Sequence, residues 1–440
     1  MNINVPEEAY IIIDTLEKHN YEAFIVGGCV RDSLLNKSPK DWDITTSALP
    51  EIVTSLFPKT IPTGIQHGTV TVIISGKSFE VTTYRIDGEY SDGRHPNGVC
   101  FTSSIMEDLS RRDFTINSMA YNSSIGLVDP FGGEADLTKG IIKCVGDAEL
   151  RFREDALRML RAIRFSCQLN FPIEPVTFTS ICNNSSTIEK VSFERIRDEF
   201  CKILISQHPS QGIRLLHSSG ILKIILPELE KCVGFSQKNP HHDKDVFEHI
   251  LSVLDNSPCS IKLRLSALFH DIGKPECFIM DENGIGHFHG HDKVSASIAE
   301  KIMKRLKFDN STIKDVSLLI SEHMTGYAVL KVSSVKKLIN RVGLDNVEEL
   351  FQLQIADSKG HAVPDYTNIL KIRTMARKII NEKQPLTVKD LAVKGTDLIN
   401  IGYKPGISLG KELNKLLDLV LLYPEMNTID NLLESAKLDL

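Results

Sequence analysis

The sequence has no pair of cysteines at the C-x-x-C spacing of a zinc ligand set, although it holds nine cysteines. They read as reduced, mostly structural residues of a cytosolic protein. It has no uncharged apolar run close to the ~20 residues needed to cross a bilayer. Met1 to Glu8 lacks a basic start followed by an apolar stretch, so no secretory signal is expected. The expected location is therefore the cytoplasm, with no membrane partner. There is no excess of basic charge either: 51 Lys and Arg stand against 57 Asp and Glu, a net charge of -6. The chain as a whole does not advertise nucleic-acid affinity, but a local basic groove would be sufficient for it. Internal repeats and low-complexity tracts are absent. What is present, 42% hydrophobic and 25% charged residues, is an ordinary globular composition and not a disordered one. With 440 residues there is room for two to four compact units.

Strand signals gather in the first third. Ala23 to Val26 is short and apolar and is broken by Gly27-Gly28; Thr69 to Ile74 and Phe79 to Arg85 alternate and are rich in β-branched residues. Ser75-Gly76-Lys77-Ser78 between them predicts a hairpin turn. Helical periods flank these strands at Glu7 to His19 and Val30 to Leu35, and from about residue 140 nearly everything reads as helix. Asp129-Pro130-Phe131-Gly132-Gly133 reads as a break between the two regions. The expected fold class is α+β, a mixed-sheet head followed by an all-helical remainder.

Three constellations in the head carry chemistry. In Val26-Gly27-Gly28-Cys29-Val30-Arg31-Asp32 a strand ends at two glycines and a helix begins. Backbone amides there can approach a phosphate, and Arg31 adds a cation; alone, such a pair is more often a tight turn. In Lys40-Asp41-Trp42-Asp43-Ile44 two carboxylates stand two residues apart. On a strand they share a face, and oxygen-only ligation of this kind suits Mg²⁺. A lone D-x-D is more often a solvated acidic loop. Glu80, on the second hairpin strand, could supply a third carboxylate or be an exposed strand residue. Glu107 to Tyr121 packs Arg111, Arg112, Asp113 and Asn117 together, where forked guanidinium donors suit phosphate oxygens.

In this order, Gly27-Gly28-x-x-Arg31-Asp32, Asp41-x-Asp43 and Arg111-Arg112-Asp113-Phe114-Thr115-x-Asn117 resemble the class II transfer-RNA nucleotidyltransferases. That family is a branch of the DNA polymerase beta superfamily that includes bacterial poly(A) polymerases. The resemblance continues through Asp129-Pro130-Phe131-Gly132-Gly133, Glu154-Asp155-x-x-Arg158-x-x-Arg161-Ala162-x-Arg164-Phe165, Glu194-Arg195 and Gly402-Tyr403-Lys404-Pro405-Gly406. Ser118 stands where the family usually has alanine. The resemblance implies a polymerase-beta-like catalytic head at 1–140 and a neck with nucleotide-recognition helices at 141–205. It also implies an RNA-binding helical body and tail at 206–440, with an HD domain at 245–360. The implied activity is template-independent addition and repair of the 3′-terminal CCA of tRNA from CTP and ATP, with Mg²⁺ at Asp41 and Asp43. Gly28, Arg31 and Arg112 would hold the triphosphate. The segment Tyr84 to Pro96 resembles the loop of members able to add the terminal A, and Thr63 to Val70 resembles the tRNA enzymes.

Asp155 and Arg158 lie one helical turn apart. Cytosine and adenine share an amine donor beside a ring-nitrogen acceptor, which an aspartate and an arginine can read. Uracil and guanine reverse the pattern and would leave both side chains unpaired. Arg161 and Arg164 continue at steps of three, and are expected to serve phosphates or the RNA end. Farther on, His249, His270-Asp271 and Asp357 have the order of an HD metal-dependent phosphohydrolase, with His287, His289, His291 and His323 as accessories. Four alternatives to full CCA addition stay open: an enzyme adding only the final A, a poly(A) polymerase, an HD phosphohydrolase acting on RNA ends, and a non-catalytic RNA-binding protein. The sequence leaves the oligomeric state open.

Overall fold

The computed structural model describes residues 3–87, 99–238 and 244–438. Residues 88–96 of the segment that resembles the A-adding loop lie outside the described residues. The chain divides into two units, Met1–Pro227 and Glu228–Leu440.

A seven-stranded mixed sheet, ordered β3-β4-β5-β2-β1-β8-β9, carries the first unit. Its strands are β1 (Ala23–Val26), β2 (Ile44–Thr46), β3 (Thr60–Gly64), β4 (Thr69–Ile74), β5 (Lys77–Thr83), β8 (Ala120–Asn122) and β9 (Gly126–Val128); β6 (Arg85–Asp87) and β7 (Val99–Phe101) form a separate ribbon. All four residues of β1 are buried, as a short apolar run covered on both faces must be. Neighbours pair antiparallel except β2 and β5, which run parallel. The β4–β5 turn is tighter than the expected four residues. Pairing extends to Ile74 opposite Lys77, and Ser75 and Gly76 both take positive φ, 51° and 81°. That is the two-residue turn whose twist matches the flanking strands.

The helices of the head are α1 (Glu7–Lys18), α2 (Gly28–Leu34), α3 (Pro50–Leu56), α4 (Ile105–Ser110) and α5 (Gly133–Lys139). α1 buries Ala9, Ile12, Ile13 and Leu16, the apolar stripe of an amphipathic helix. Asp129–Gly133, expected as a break, is a packed turn. The two Asp129 oxygens accept from the Gly133 and Glu134 amides at 2.7 and 2.9 Å. A Cβ on Gly133 would lie 2.2 Å from the Thr115 carbonyl oxygen, so only glycine permits this approach.

Beyond it the first unit is mainly helical: α6 (Ala148–Glu154), α7 (Leu157–Leu169), α8 (Pro175–Asn184) and α9 (Phe193–Leu204), followed by shorter helices. The stretch from Glu154 to Phe165 is not one continuous helix. α6 ends at Asp155, whose φ of -142° and ψ of 103° are extended, and α7 starts two residues later. The second unit is helical apart from a ribbon formed by Ile279–Met280 and Gly286–His287. Leu319, Leu338, Leu350, Phe351 and Leu416 belong to its core. Among the described residues no helix is long and apolar enough to cross a membrane.

Candidate active site

The sheet register brings the head carboxylates together. The Val26 amide donates to the Asp43 carbonyl at 3.0 Å, which sets Asp43 beside the end of β1. Ile44 pairs with Val81 in the parallel β2–β5 ladder, so the residues before them, Asp43 and Glu80, are neighbours. Asp41 and Asp43 lie in the extended lead-in to β2 and not within the regular strand, which begins at Ile44. Burial and then Glu80 raise the Asp43 carboxyl above its ordinary value; Asp41 adds to the rise and Arg112 opposes it. Acids in mutual repulsion with only part of their charge offset are a fitting donor set for a divalent cation.

Asp43 opens onto a cavity of about 630 Å³, which is also lined by Gly28, Arg31, Arg112, Asp155, Arg158, Arg161 and Arg195. Gly27 turns the chain at φ 79°, with its amide donating to the Met119 carbonyl at 3.1 Å. A Cβ at Gly27 would stand 3.2 Å from Arg112 Nη1, so the missing side chain leaves room for that guanidinium. Arg31 Nη1 donates to Asn117 Oδ1 at 2.6 Å and its Nε to Asp32 Oδ1 at 2.9 Å. Asp108 is fully buried and anchors both arginines of the pair: Arg111 Nη2 at 2.9 Å and Arg112 Nη2 at 3.2 Å. Burial works to raise the Asp108 carboxyl, but Arg112 and Arg111 hold it below its usual range. Arg112 Nε has no hydrogen-bond partner among the described residues.

At the other side of the cavity Asp155 caps α6. Its Oδ1 accepts from the Leu157 amide at 3.0 Å and its Oδ2 from Arg195 Nη2 at 2.9 Å. Arg158 donates to Glu154 at 2.6 Å and to the Arg111 carbonyl at 3.0 Å, which ties α7 to the turn after α4. Arg161 Nε donates to Asp113 Oδ2 at 2.7 Å. Burial would raise Asp113, but Arg161 keeps its carboxyl below the ordinary value. Arg164 is not part of the cavity lining. It donates to Glu199 on α9 at 3.1 Å, and its guanidinium lies 4.2 Å over the Phe165 ring. Burial and then Arg161 push the Arg164 guanidinium down to about 10. Asp41 and Glu80 are likewise outside the lining, coupled to it through Asp43.

In the second unit the four expected histidines and aspartates converge from three helical segments. His249 Nε2 is 3.0 Å from Asp357 Oδ1 and 3.3 Å from Asp271 Oδ2; His270 Nε2 is 3.1 Å from Asp271 Oδ2 and 3.4 Å from Asp357 Oδ1. All four are buried. The carboxyls of Asp271 and Asp357 sit well below their ordinary range: burial opposes this, but the surrounding imidazoles, and Lys274 at Asp271, outweigh it. His291 and His323 join Asp271 in a second group. His287 and His289 stack on each other at the mouth of an adjoining cavity of about 330 Å³. This His/Asp cluster brings its ligand atoms close enough together to hold a divalent cation.

Three family models match the chain. Residues 23–143 match the Poly A polymerase head domain, 170–232 the probable RNA and SrmB-binding site of polymerase A, and 245–358 the HD domain. The chain is 36% identical to the CCA-adding enzyme of Lactobacillus helveticus (strain DPC 4571) over 416 residues, covering 94% of this chain and 92% of that one. The chain belongs to the CCA-adding enzymes. It is also 34% identical to the CCA-adding enzyme of Geobacillus sp. (strain WCH70), over 96% of this chain and 94% of the relative. The crystal structure of the Bacillus stearothermophilus CCA-adding enzyme in complex with CTP superposes with a TM-score of 0.74 at 28% identity, covering 98% of each chain.

In this CCA-adding chain some cavity residues lie in segments that carry the resemblance, but their part in the site is not read from the sequence. Arg195 reaches Asp155 from another helix, and nothing in its local spacing announces the contact. Arg85 and His67 enter the same lining from the β4–β5 side. Asp108 could have been found: it stands three and four residues before Arg111 and Arg112 on one helical face.

Proposed function

We propose that this chain adds and repairs the 3′-terminal CCA of tRNA in the cytoplasm, taking CTP and ATP and releasing pyrophosphate. Near-full-length identity to CCA-adding enzymes is the observation that carries this reading. The shared cavity supports it, with Asp43 at one side and Asp155 with Arg158 at the other. In this reading Asp41 and Asp43 hold Mg²⁺, with Glu80 as a third acid. A bound ion there lowers the pKa of the attacking 3′-hydroxyl and neutralises charge on the leaving pyrophosphate. Gly28, Arg31 and Arg112 position the triphosphate. Asp155 accepts from the exocyclic amine of C or A, and Arg158 donates to the ring nitrogen. Arg161, in the lining, serves phosphates or the RNA end, while Arg164, turned to Glu199, supports the helix packing behind the cavity. Residues 1–140, 141–205 and 206–440 serve as head, neck, and body with tail.

The test is incubation of the purified chain with tRNA lacking its 3′ end, Mg²⁺ and labelled CTP and ATP, separately and together. CTP alone should add two residues and the mixture three. Addition of A alone, or of long A tracts, would overturn the reading.

A second reading concerns the helical unit. Convergence of His249, His270, Asp271 and Asp357 supports a bound divalent cation and hydrolysis of phosphoester ends of RNA. Phosphate release from 2′,3′-cyclic ends, lost on metal chelation, would be its signature.

A further inference from the structure

Asp108 stands behind two cavity arginines and yet has no access to a nucleotide. It is 0% exposed and takes no part in the lining of the large cavity, whereas Arg111 and Arg112, three and four residues on, both line it. We propose that Asp108 is a positioning residue for the nucleotide triphosphate, holding the Arg112 guanidinium by one edge so that its other donors face the phosphates. The proposal rests on the reading of this cavity as a CTP and ATP site and adds to it a residue that never touches the substrate.

The carboxylate is divided unequally between its partners. Oδ1 accepts from Arg111 through Nε at 3.1 Å and Nη2 at 2.9 Å, and from the Arg85 backbone amide at 3.4 Å. Oδ2 accepts from Arg112 through Nη2 alone at 3.2 Å, with the Thr45 hydroxyl at 3.4 Å. Donors from β2, from the start of β6 and from the end of α4 therefore fix both oxygens. An acid held from three elements cannot turn to follow a moving side chain, so it acts as a fixed anchor.

Arg112 has donors to spare. A guanidinium carries five N–H groups, and here only Nη2 is committed to Asp108. Nε is buried and has no hydrogen-bond partner among the described residues. Nη1 lies where a side chain at Gly27 would crowd it, 3.2 Å from an added Cβ. A buried N–H without an acceptor is unfavourable unless a ligand supplies one. Gly27, Gly28 and Asp43 share the cavity wall with Arg112, so its uncommitted edge faces the place proposed for the phosphates. Forked N–H groups bind phosphate oxygens well once they are oriented. Without the anchor, binding must first order a long side chain, and affinity falls.

The test is the kinetics of nucleotide addition by the full chain to tRNA lacking its 3′ end. Asp108→Asn keeps the shape and removes the charge. The KM for CTP and for ATP should rise about 10-fold with kcat within about 2-fold, the mark of lost binding and not of lost chemistry. Inorganic triphosphate, which has no base to be read, should weaken as a competitive inhibitor by the same factor. In an Arg112→Met background Asp108→Asn should change neither constant further, because the residue through which it acts is gone. Unchanged constants, a fall in kcat alone, or a fully additive loss in the Arg112→Met background would each overturn the proposal. Should Asp108→Asn fail to fold, as read by circular dichroism, Asp108→Asn combined with Arg111→Met keeps the local net charge and still releases Arg112. Its KM should exceed that of Arg111→Met alone by the same factor, and equal values overturn the proposal. If the unaltered chain adds no nucleotide, the cavity reading falls and this inference with it; addition with unchanged constants in the variants removes this inference alone.

Discussion

Arg195 Nη2 donates to Asp155 Oδ2 at 2.9 Å, across 40 residues of sequence, and thereby fixes the carboxylate proposed to read the incoming base. The other Asp155 oxygen is held by the Leu157 amide. Arg195→Ala should leave Asp155 oriented from one side only. Loss of one charged hydrogen bond is worth about 1.5–3 kcal/mol. The expected result is a kcat/KM for CTP and ATP reduced roughly 10-fold or more, with a smaller margin over UTP and GTP. Single-nucleotide incorporation with all four triphosphates reads both effects.

Asp43 is the carboxylate that both opens into the cavity and couples to Asp41 and Glu80. Asp43→Asn keeps the shape and removes the charge that a cation needs. 3′-end extension should fall on the order of 10³-fold, with the thermal midpoint unchanged or raised, because repulsion among the acids is relieved. Extension assays paired with a melting curve separate this outcome from misfolding.

The Asp113–Arg161 pair sets a pH dependence. Asp113 has its folded pKa depressed, so its stabilisation is present above the unfolded value of about 3.9 and is lost as pH falls through the folded value. Asp113→Asn should cost about 1–2 kcal/mol at pH 7, because it removes a charged hydrogen bond from Arg161 while that guanidinium, 35% exposed, keeps access to water. The gap to the unaltered chain should narrow steadily below about pH 4. Urea unfolding followed at several pH values checks both the size and the direction.

Gly133→Ala tests the packed turn. The added Cβ would lie 2.2 Å from the Thr115 carbonyl oxygen, a backbone atom that cannot rotate away. A loss of about 1–3 kcal/mol, or more, is expected, measured as a lowered urea midpoint. Gly76→Ala is a poor control because its φ of 81° adds strain of its own. Ser103→Ala, at an exposed position, serves better.

Elements whose cause is local were legible in the sequence. α1 follows from its apolar stripe and β1 from a four-residue apolar run ended by glycine; Asp41 and Asp43, expected to share one face of a strand, lie in the lead-in before it. His249, His270, Asp271 and Asp357 were legible through motif order, and they do converge. What was hidden depends on register and tertiary approach. That Glu80 neighbours Asp43 requires knowing that β2 and β5 run parallel. That Arg164 turns away to Glu199 requires knowing where α9 lies. The interruption at Asp155 was missed because helical spacing extends through it, while the backbone there is held by the side chain's own bond to the Leu157 amide.

That interruption has a practical consequence for anyone engineering the scaffold. Because α6 stops at Asp155 and α7 starts two residues later, the carboxylate lies past one helix end and just ahead of another. Its bonds to Arg195 and to the Leu157 amide outweigh any repulsion from the carbonyls of α6. Selection for heat resistance alone would therefore retain this acid, so a chain hardened by such a campaign should keep its sorting of nucleotides at this position.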